Sequence, residues 1–257
     1  HDPAEVVLVT VRGTLQQGLR AGLQIFWQWV VAGIHGTMVP AIRLPAPNAC
    51  TDDILGEVMN RILALGDSYT IGEAVAPDQR WVEQWAALLR ADGQAIAKPV
   101  TVIAKTGWTG DELLQGIREH GPLIQFDLVT LLIGVNNQYR GHSVDDYRKQ
   151  FAELLAIAFY AANDHAGRVQ VLSIPDWGQT PFGRLSGRDL SAVSAEIDVF
   201  NTAAENLCHA HGVAFLDITG LTREHHHDPA MHAADGLHPS AAMYGLWAGA
   251  LLCTGTF

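Results

Sequence analysis

Cysteine is nearly missing from this chain: there are three in 257 residues, Cys50, Cys208 and Cys253, far apart and without a CxxC pair. A disulfide scaffold is thereby excluded. The thiols read as buried or incidental, although Cys208 and Cys253 both fall in helix-like stretches and leave one pairing open. Lysine is scarce too, supplying three of the 16 basic residues, so no polybasic membrane patch exists. With 27 acidic residues, the net charge of −11 speaks against a nucleic-acid partner, which needs a basic face to neutralise phosphates. Long apolar runs are absent: Leu23–Ile34 has a dozen residues where a bilayer span needs about 20, and reads as a buried or interfacial segment. The 25 glycines follow no three-residue period, which excludes a collagen-like chain. What is present is 48% hydrophobic and 17% charged residues, too apolar for disorder and enough for one α/β domain with an appendage.

The texture changes near residue 58. Residues 1–58 hold a candidate strand at Val6–Val11, the Trp-containing apolar stretch, and a run punctuated by Pro40, Pro45 and Pro47. From Arg61 onward, short apolar runs alternate with longer stretches of helical period, the signature of βαβ units and a parallel sheet. The strand candidates are Ile62–Leu65, Val100–Ala104, Leu128–Ile133, Val169–Ile174 and Ala214–Asp217. The helix candidates are Trp81–Ala91, Gly110–Glu119, Val144–Ala162, Ala192–His211 and Ser240–Leu252. The expected fold is α/β, a three-layer α/β/α sandwich around a five-stranded parallel sheet of flavodoxin-like type. Ligands of such sheets sit beyond the carboxyl ends of the strands, so chemistry is expected just after them.

Four blocks stand there. After the first strand comes Gly66-Asp67-Ser68-Tyr69-Thr70, where a Ser at a tight strand-to-helix turn can present its hydroxyl at the sheet edge; a plain helix N-cap looks the same locally. After the second comes Lys105-Thr106-Gly107-Trp108-Thr109-Gly110, in which a glycine amide could point at a ligand oxygen or merely allow a turn. The third ends in Gly134-Val135-Asn136-Asn137, where a side-chain amide could hold a developing oxyanion, or simply make a turn. After the fifth lies Asp235-Gly236-Leu237-His238-Pro239-Ser240. Here His is the usual general base for a weak nucleophile, and a carboxylate three residues away can orient its imidazole. Pro239 disfavours helical geometry at His238 and should fix that loop.

In their joint order these blocks resemble the SGNH (GDSL) hydrolase family over about residues 60–253. The flanking residues TGWTGDEL, IGVNNQYRG and DGLHPS are most similar to small bacterial esterases of the lysophospholipase/arylesterase type. The resemblance implies Ser68 as nucleophile, His238 as general base and Asp235 as its orienting carboxylate. The oxyanion hole would be the amides of Ser68 and Gly107 with the side chain of Asn136. No cofactor or metal is implied. The substrate class is a small-molecule carboxylic ester, with short acyl or aryl groups or a lysophospholipid, handled through an acyl-Ser68 intermediate. A carbohydrate O-deacetylase, or an acyltransferase or binding module on the same fold, is the alternative. Asn137 stands where the family has Asp, which bears on local loop bonding rather than on the oxyanion role. Residues 1–58 match nothing in the family pattern. Met59 is a natural start for such an enzyme, so 59–257 is taken as the catalytic domain and the extension as upstream sequence more than a decoration; the first residue, His1, suggests trimming.

Asp67, Tyr69, Trp108, Asn137, Arg140, Trp177 and Phe182 are candidate substrate contacts. For Tyr69 and Trp108 the rival is core packing, and for Arg140 a solvated surface position. The loop IPDWGQTPFGR, carrying Trp177, Pro181 and Phe182, is the expected substrate-lining lid. The run His225-His226-His227-Asp228 with His232 is not read as a metal site, because adjacent residues on an extended chain point apart; His227 or Asp228 could cap a loop instead. No G-x-S-x-G, S-x-x-K, P-loop or dinucleotide fingerprint occurs. A soluble chain without a membrane span is expected, in the cytoplasm more than outside the cell, with a homo-oligomer allowed.

Overall fold

The computed structural model describes residues 59–255 apart from residue 124. The strand at Val6–Val11, the segment Leu23–Ile34, Cys50 and the division near residue 58 lie outside the described residues. Five strands form: β1 (Ile62–Gly66), β2 (Thr101–Ala104), β3 (Leu128–Leu132), β4 (Val169–Leu172) and β5 (Ala214–Leu216). All neighbours are parallel, in the order β2-β1-β3-β4-β5. The three central strands are buried along their whole length, whereas β2 and β5, at the edges, are largely half-buried. This is why β1 and β3 read as continuous apolar runs rather than alternating ones: helices cover both faces of a parallel sheet.

Nine helices lie among the described residues: α1 (Ser68–Ile71), α2 (Trp81–Ala91), α3 (Gly110–His120), α4 (Val135–Tyr139), α5 (Val144–Ala161), α6 (Pro181–Leu185), α7 (Leu190–Ala210), α8 (Thr219–His225) and α9 (Ala241–Cys253). The long ones agree with the sequence periodicity to within one or two residues. α2 packs on α9, and α5 packs on both α3 and α7, giving the two outer layers. α2 buries Trp81, Val82, Trp85, Ala86 and Leu89, a stripe of helical spacing, against the Met243, Tyr244, Trp247 and Leu251 face of α9. Side-chain caps set the starts: Ser143 accepts from the Asp146 amide, Asp189 from the amides of Ser191 and Ala192, and Ser240 from that of Met243. α1, α4, α6 and α8 are too short to show a period; of these, α6 falls in the stretch expected to be a loop and α4 where a turn was the alternative. Cys208 is buried and Cys253 exposed, and both are free thiols, so the pairing left open above does not form. Among the described residues no helix is long and apolar enough to cross a membrane.

Strand order decides where the site is. From β1 the chain goes out to β2 on one side and then returns past β1 to β3 on the other, so the winding reverses between β1 and β3. A crevice opens at the carboxyl ends of two strands where that happens. α1 follows β1 directly, and α4 follows β3.

Candidate active site

The chain leaves β1 through Asp67, whose Oδ1 accepts from the Tyr69 amide at 3.0 Å and starts α1 with Ser68 as its first residue. The Ser68 side chain reaches the crevice while the residue stays 94% buried, being only 6% exposed. The first-turn amides of a helix have no intrahelical partner, which leaves that of Ser68 able to serve an incoming oxygen. Asp67 is fully buried, and its Oδ2 has no hydrogen-bond partner. Desolvation pushes its carboxyl up to about 7, against the smaller opposing effect of the Tyr69 amide.

The loop that carries Asp235 and His238 is a compact, pinned turn. The Asp235 Oδ2 accepts from His238 Nδ1 at 2.6 Å, while its Oδ1 accepts from the amides of Leu237 and His238, each at 2.9 Å. Burial alone would raise the Asp235 carboxyl, but these three hydrogen bonds outweigh it and hold its pKa below the ordinary value. The loop ends are clamped by Ala233 N–H donating to the His238 carbonyl at 2.8 Å and Ser240 N–H to that of Met231 at 3.0 Å. The Tyr69 ring meets the imidazole edge-on at 5.5 Å between centroids. With Nδ1 committed to Asp235, Nε2 is the nitrogen left for proton transfer. His238 and Ser68 open on the same cleft, though the Ser68 hydroxyl makes no hydrogen bond to His238 in this structure. Such bonds are often long until substrate is bound.

Gly107 adopts φ +82°, a left-handed conformation that favours glycine, in the loop before α3. Its carbonyl accepts from Arg140, which also pairs with Glu112 at 3.3 Å. Glu112 in turn closes the capping box of α3 with Thr109. Asn136, in α4, spends one N–H on the Trp108 carbonyl at 3.0 Å. Asn136 also lines the cleft, and its side-chain amide has a second N–H beyond the one given to Trp108. Asn137 turns the other way: wholly buried, it accepts from the Gly110 amide at 2.9 Å and donates to Gln150 Oε1 at 2.8 Å. An Asp there could accept from Gly110 but could not donate to Gln150 Oε1, and would need the Gln150 amide reversed.

The cleft itself measures about 190 Å³. Beyond Ser68, Asn136 and His238 it is lined by Tyr69, Val135, Tyr139, Trp177, Phe182 and Leu237. A more voluminous hollow, about 600 Å³ and lined by Asn60, Gln94, Asp127 and Arg168, lies at the amino ends of the strands, remote from every group described above. The residues expected to touch substrate therefore separate. Tyr69, Trp177 and Phe182 wall the cleft. Trp108 instead lays its ring against Gly116 of α3, Asp67 and Asn137 are turned into the interior, and Arg140 holds the Gly107 loop. The loop after β4 is an anchored wall: Asp176, buried, pairs with Arg223 at 2.8 Å, and the Phe182 amide donates to the Gly236 carbonyl at 2.9 Å. Arg188 lies over the rings of Tyr139 and Trp177, 4.3 and 5.4 Å from their centroids. In the histidine run, His226 Nδ1 meets the Arg223 carbonyl, His232 Nε2 lies 3.0 Å from the His226 carbonyl, and Asp228 caps the turn at Pro229–Met231.

Tyr139 and Glu73, together with the cleft walls Val135 and Leu237, are not among the candidate residues. Tyr139 lies three positions after Asn136 on α4, a helical spacing that could have revealed it. Glu73 lies just past α1, with Oε2 4.0 Å from His238 Nε2 and accepting a hydrogen bond from Thr106. Only the five-residue separation from Ser68 hinted at it.

The comparisons with known proteins bear on this geometry. A model of the GDSL-like lipase/acylhydrolase family matches residues 64–246. A lipase/acylhydrolase from Enterococcus faecalis has a similar structure, with TM-score 0.59 and 21% identity over 77% of this chain and 96% of that one. The psychrotrophic esterase EstA from Pseudoalteromonas sp., in a structure inhibited by monoethylphosphonate, gives 0.58 at 15% identity, covering 76% and 95%. Axe2, an acetylxylan esterase from Geobacillus stearothermophilus, gives 0.59 at 19%, covering 76% and 93%. No curated protein matches the chain. Likeness at such identities speaks for the fold; the family match, which spans most of the chain and all four sequence blocks, speaks for more. The chain belongs to the GDSL-like lipase/acylhydrolase family, and is a hydrolase of the esterase/lipase kind.

Proposed function

We propose that this protein is a serine esterase that hydrolyses small carboxylic esters, with short acyl or aryl groups, through an acyl-Ser68 intermediate. The observation that carries this is one cleft shared by a hydroxyl, Ser68, and an imidazole whose far nitrogen is held by a carboxylate. Asp235 keeps His238 in the tautomer with Nε2 free to accept, so His238 takes the Ser68 proton as Oγ attacks the ester carbonyl. Negative charge builds on the carbonyl oxygen, and the amides of Ser68 and Gly107 with the side-chain amide of Asn136 are the donors assigned to it in this scheme. Protonated His238 then gives its proton to the leaving alkoxide. Water, activated at the same nitrogen, releases the acid and restores Ser68. The reaction needs no metal or cofactor in this scheme.

A phosphonate that mimics the ester tests this. It is expected to label Ser68 stoichiometrically, and Ser68→Ala to abolish both labelling and p-nitrophenyl acetate hydrolysis, a loss of about 10⁶ by the subtilisin precedent. Undiminished hydrolysis by the Ala variant refutes the assignment. A second reading, deacetylation of carbohydrate, is favoured by the likeness to an acetylxylan esterase. Comparing acetylated sugars with aryl acetates and lysophospholipids separates the two.

A further inference from the structure

Glu73 stands at a place the scheme above leaves unassigned. Gly72 closes α1 in the left-handed conformation, φ +65°, and turns the chain so that the Glu73 amide donates to the Ser68 carbonyl at 3.0 Å. A side chain at residue 72 would run into Arg80, so this reversal is tied to glycine. Glu73 is thus fixed to the nucleophile turn by its backbone and to the Gly107 loop by the bond from Thr106. Its Oε2 lies 4.0 Å from His238 Nε2, and 38% of the side chain is exposed, so solvent reaches the gap.

That separation is too long for a direct hydrogen bond and short enough for one oxygen atom to bond to both ends, each leg being about 2.8 Å. Nε2 is the atom that takes the proton from the deacylating nucleophile. An oxygen seated between the two groups therefore needs two O–H bonds, one for each. Water has two; an alcohol has one, and in the same seat it would turn carbon or a lone pair toward the carboxylate.

We infer that Glu73 is a positioning residue for the deacylating water, biasing acyl-Ser68 toward hydrolysis and against transfer to alcohols. The inference rests on the esterase reading. In the step, the water oxygen bonds to the acyl carbon and the Ser68 Oγ–carbon bond breaks. One water proton passes to Nε2 and then to Oγ, and the other stays on the product acid, hydrogen-bonded to Glu73. Thr106 and Glu73 take no part in the covalent change.

The experiment is partition of the acyl-enzyme. With p-nitrophenyl acetate and added methanol, methyl acetate and acetate are measured together with the p-nitrophenol burst. Loss of one charge-assisted hydrogen bond to the water predicts that Glu73→Ala raises the ratio of methanolysis to hydrolysis about tenfold, with a burst that shows deacylation has slowed. Glu73→Gln, which keeps an accepting oxygen, is expected to lie between the Ala variant and the parent. A role confined to joining two loops would slow acylation and both deacylation routes in parallel. An unchanged ratio in variants that still acylate overturns the inference. Should Glu73→Ala fail to fold, Glu73→Gln and Thr106→Val, which loosens the carboxylate, decide by the same ratio. No acylation of Ser68 in the parent would instead overturn the esterase reading, and this with it.

Discussion

Two aspartates adjoin Ser68 and His238, the proposed catalytic pair, and the fold treats them oppositely. Asp67, beside Ser68, is sealed in the interior with one oxygen bonded to a single amide and the other to nothing; its carboxyl rises to about 7. Asp235, beside His238, collects two amides and an imidazole and is held below the ordinary range. Both sit in a turn next to a reactive residue, so sequence position does not separate them. Burial and the count of donors do: Asp67 is fully buried, whereas the Asp235 side chain is 37% exposed. A carboxylate surrounded by N–H groups remains ionised and can stabilise an imidazolium, whereas one without them is driven toward its neutral form by the cost of burying charge. The same enzyme site therefore holds one carboxyl suited to electrostatic work and one suited to filling and capping.

Substituting each aspartate tests that contrast. Asp235→Asn removes the charge and disturbs the tautomer, and kcat is expected to fall by about 10⁴ at neutral pH with the fold retained; steady-state kinetics beside a thermal melt measures both. Loss of less than about tenfold would mean the carboxylate is not orienting His238. Asp67→Asn keeps an oxygen for the Tyr69 amide and removes the ionisable group. Because the folded pKa of Asp67 is raised above its unfolded value of 3.8, the parent loses stability as pH rises from there to about 7 and is level above it, by at most roughly 4 kcal/mol. The melting temperatures of parent and Asn variant should then diverge across that window in favour of the variant, and run parallel above it. Parallel curves throughout would show that Asp67 is ionised at no extra cost. Asn137→Asp puts a third carboxyl into the comparison, buried like Asp67 but with the Gly110 amide and, after reversal of its side-chain amide, Gln150 as donors. Stability within about 1 kcal/mol of the parent at pH 8 is expected, since two donors are present; a loss of several kcal/mol would mean that burial outweighs donor count.

The histidine loop shows how far local pattern reaches. Asp235 and His238 are three residues apart, and their bond forms within one turn, so the pairing was legible from spacing alone. Asn136 and Asn137 were equally visible, and the resemblance gave the oxyanion role to the first and loop bonding to the second, but not the contacts that set their side chains apart. Those depend on Trp108 and Gln150, which belong to other elements and face the two amides from opposite sides. For Trp108, pocket wall and core packing were both open from its place after Gly107; the gap left by Gly116, on the next helix, draws it into the packing. Glu73 looked like any surface acid. Its approach to His238 needs the reversal at Gly72 and the arrival of a loop from the far end of the chain.

Sequence alone determined the alternation of strands and long helices, the sheet type, and which four blocks meet at its carboxyl edge. Each of these follows from side-chain period over ten or so residues, or from the placing of loops after parallel strands. Tertiary structure decided which polar side chains face the cleft, which turn inward to satisfy buried amides, and which carboxyl stays charged. Those outcomes depend on donors and on apolar surface supplied by segments distant along the chain, and no local pattern encodes them.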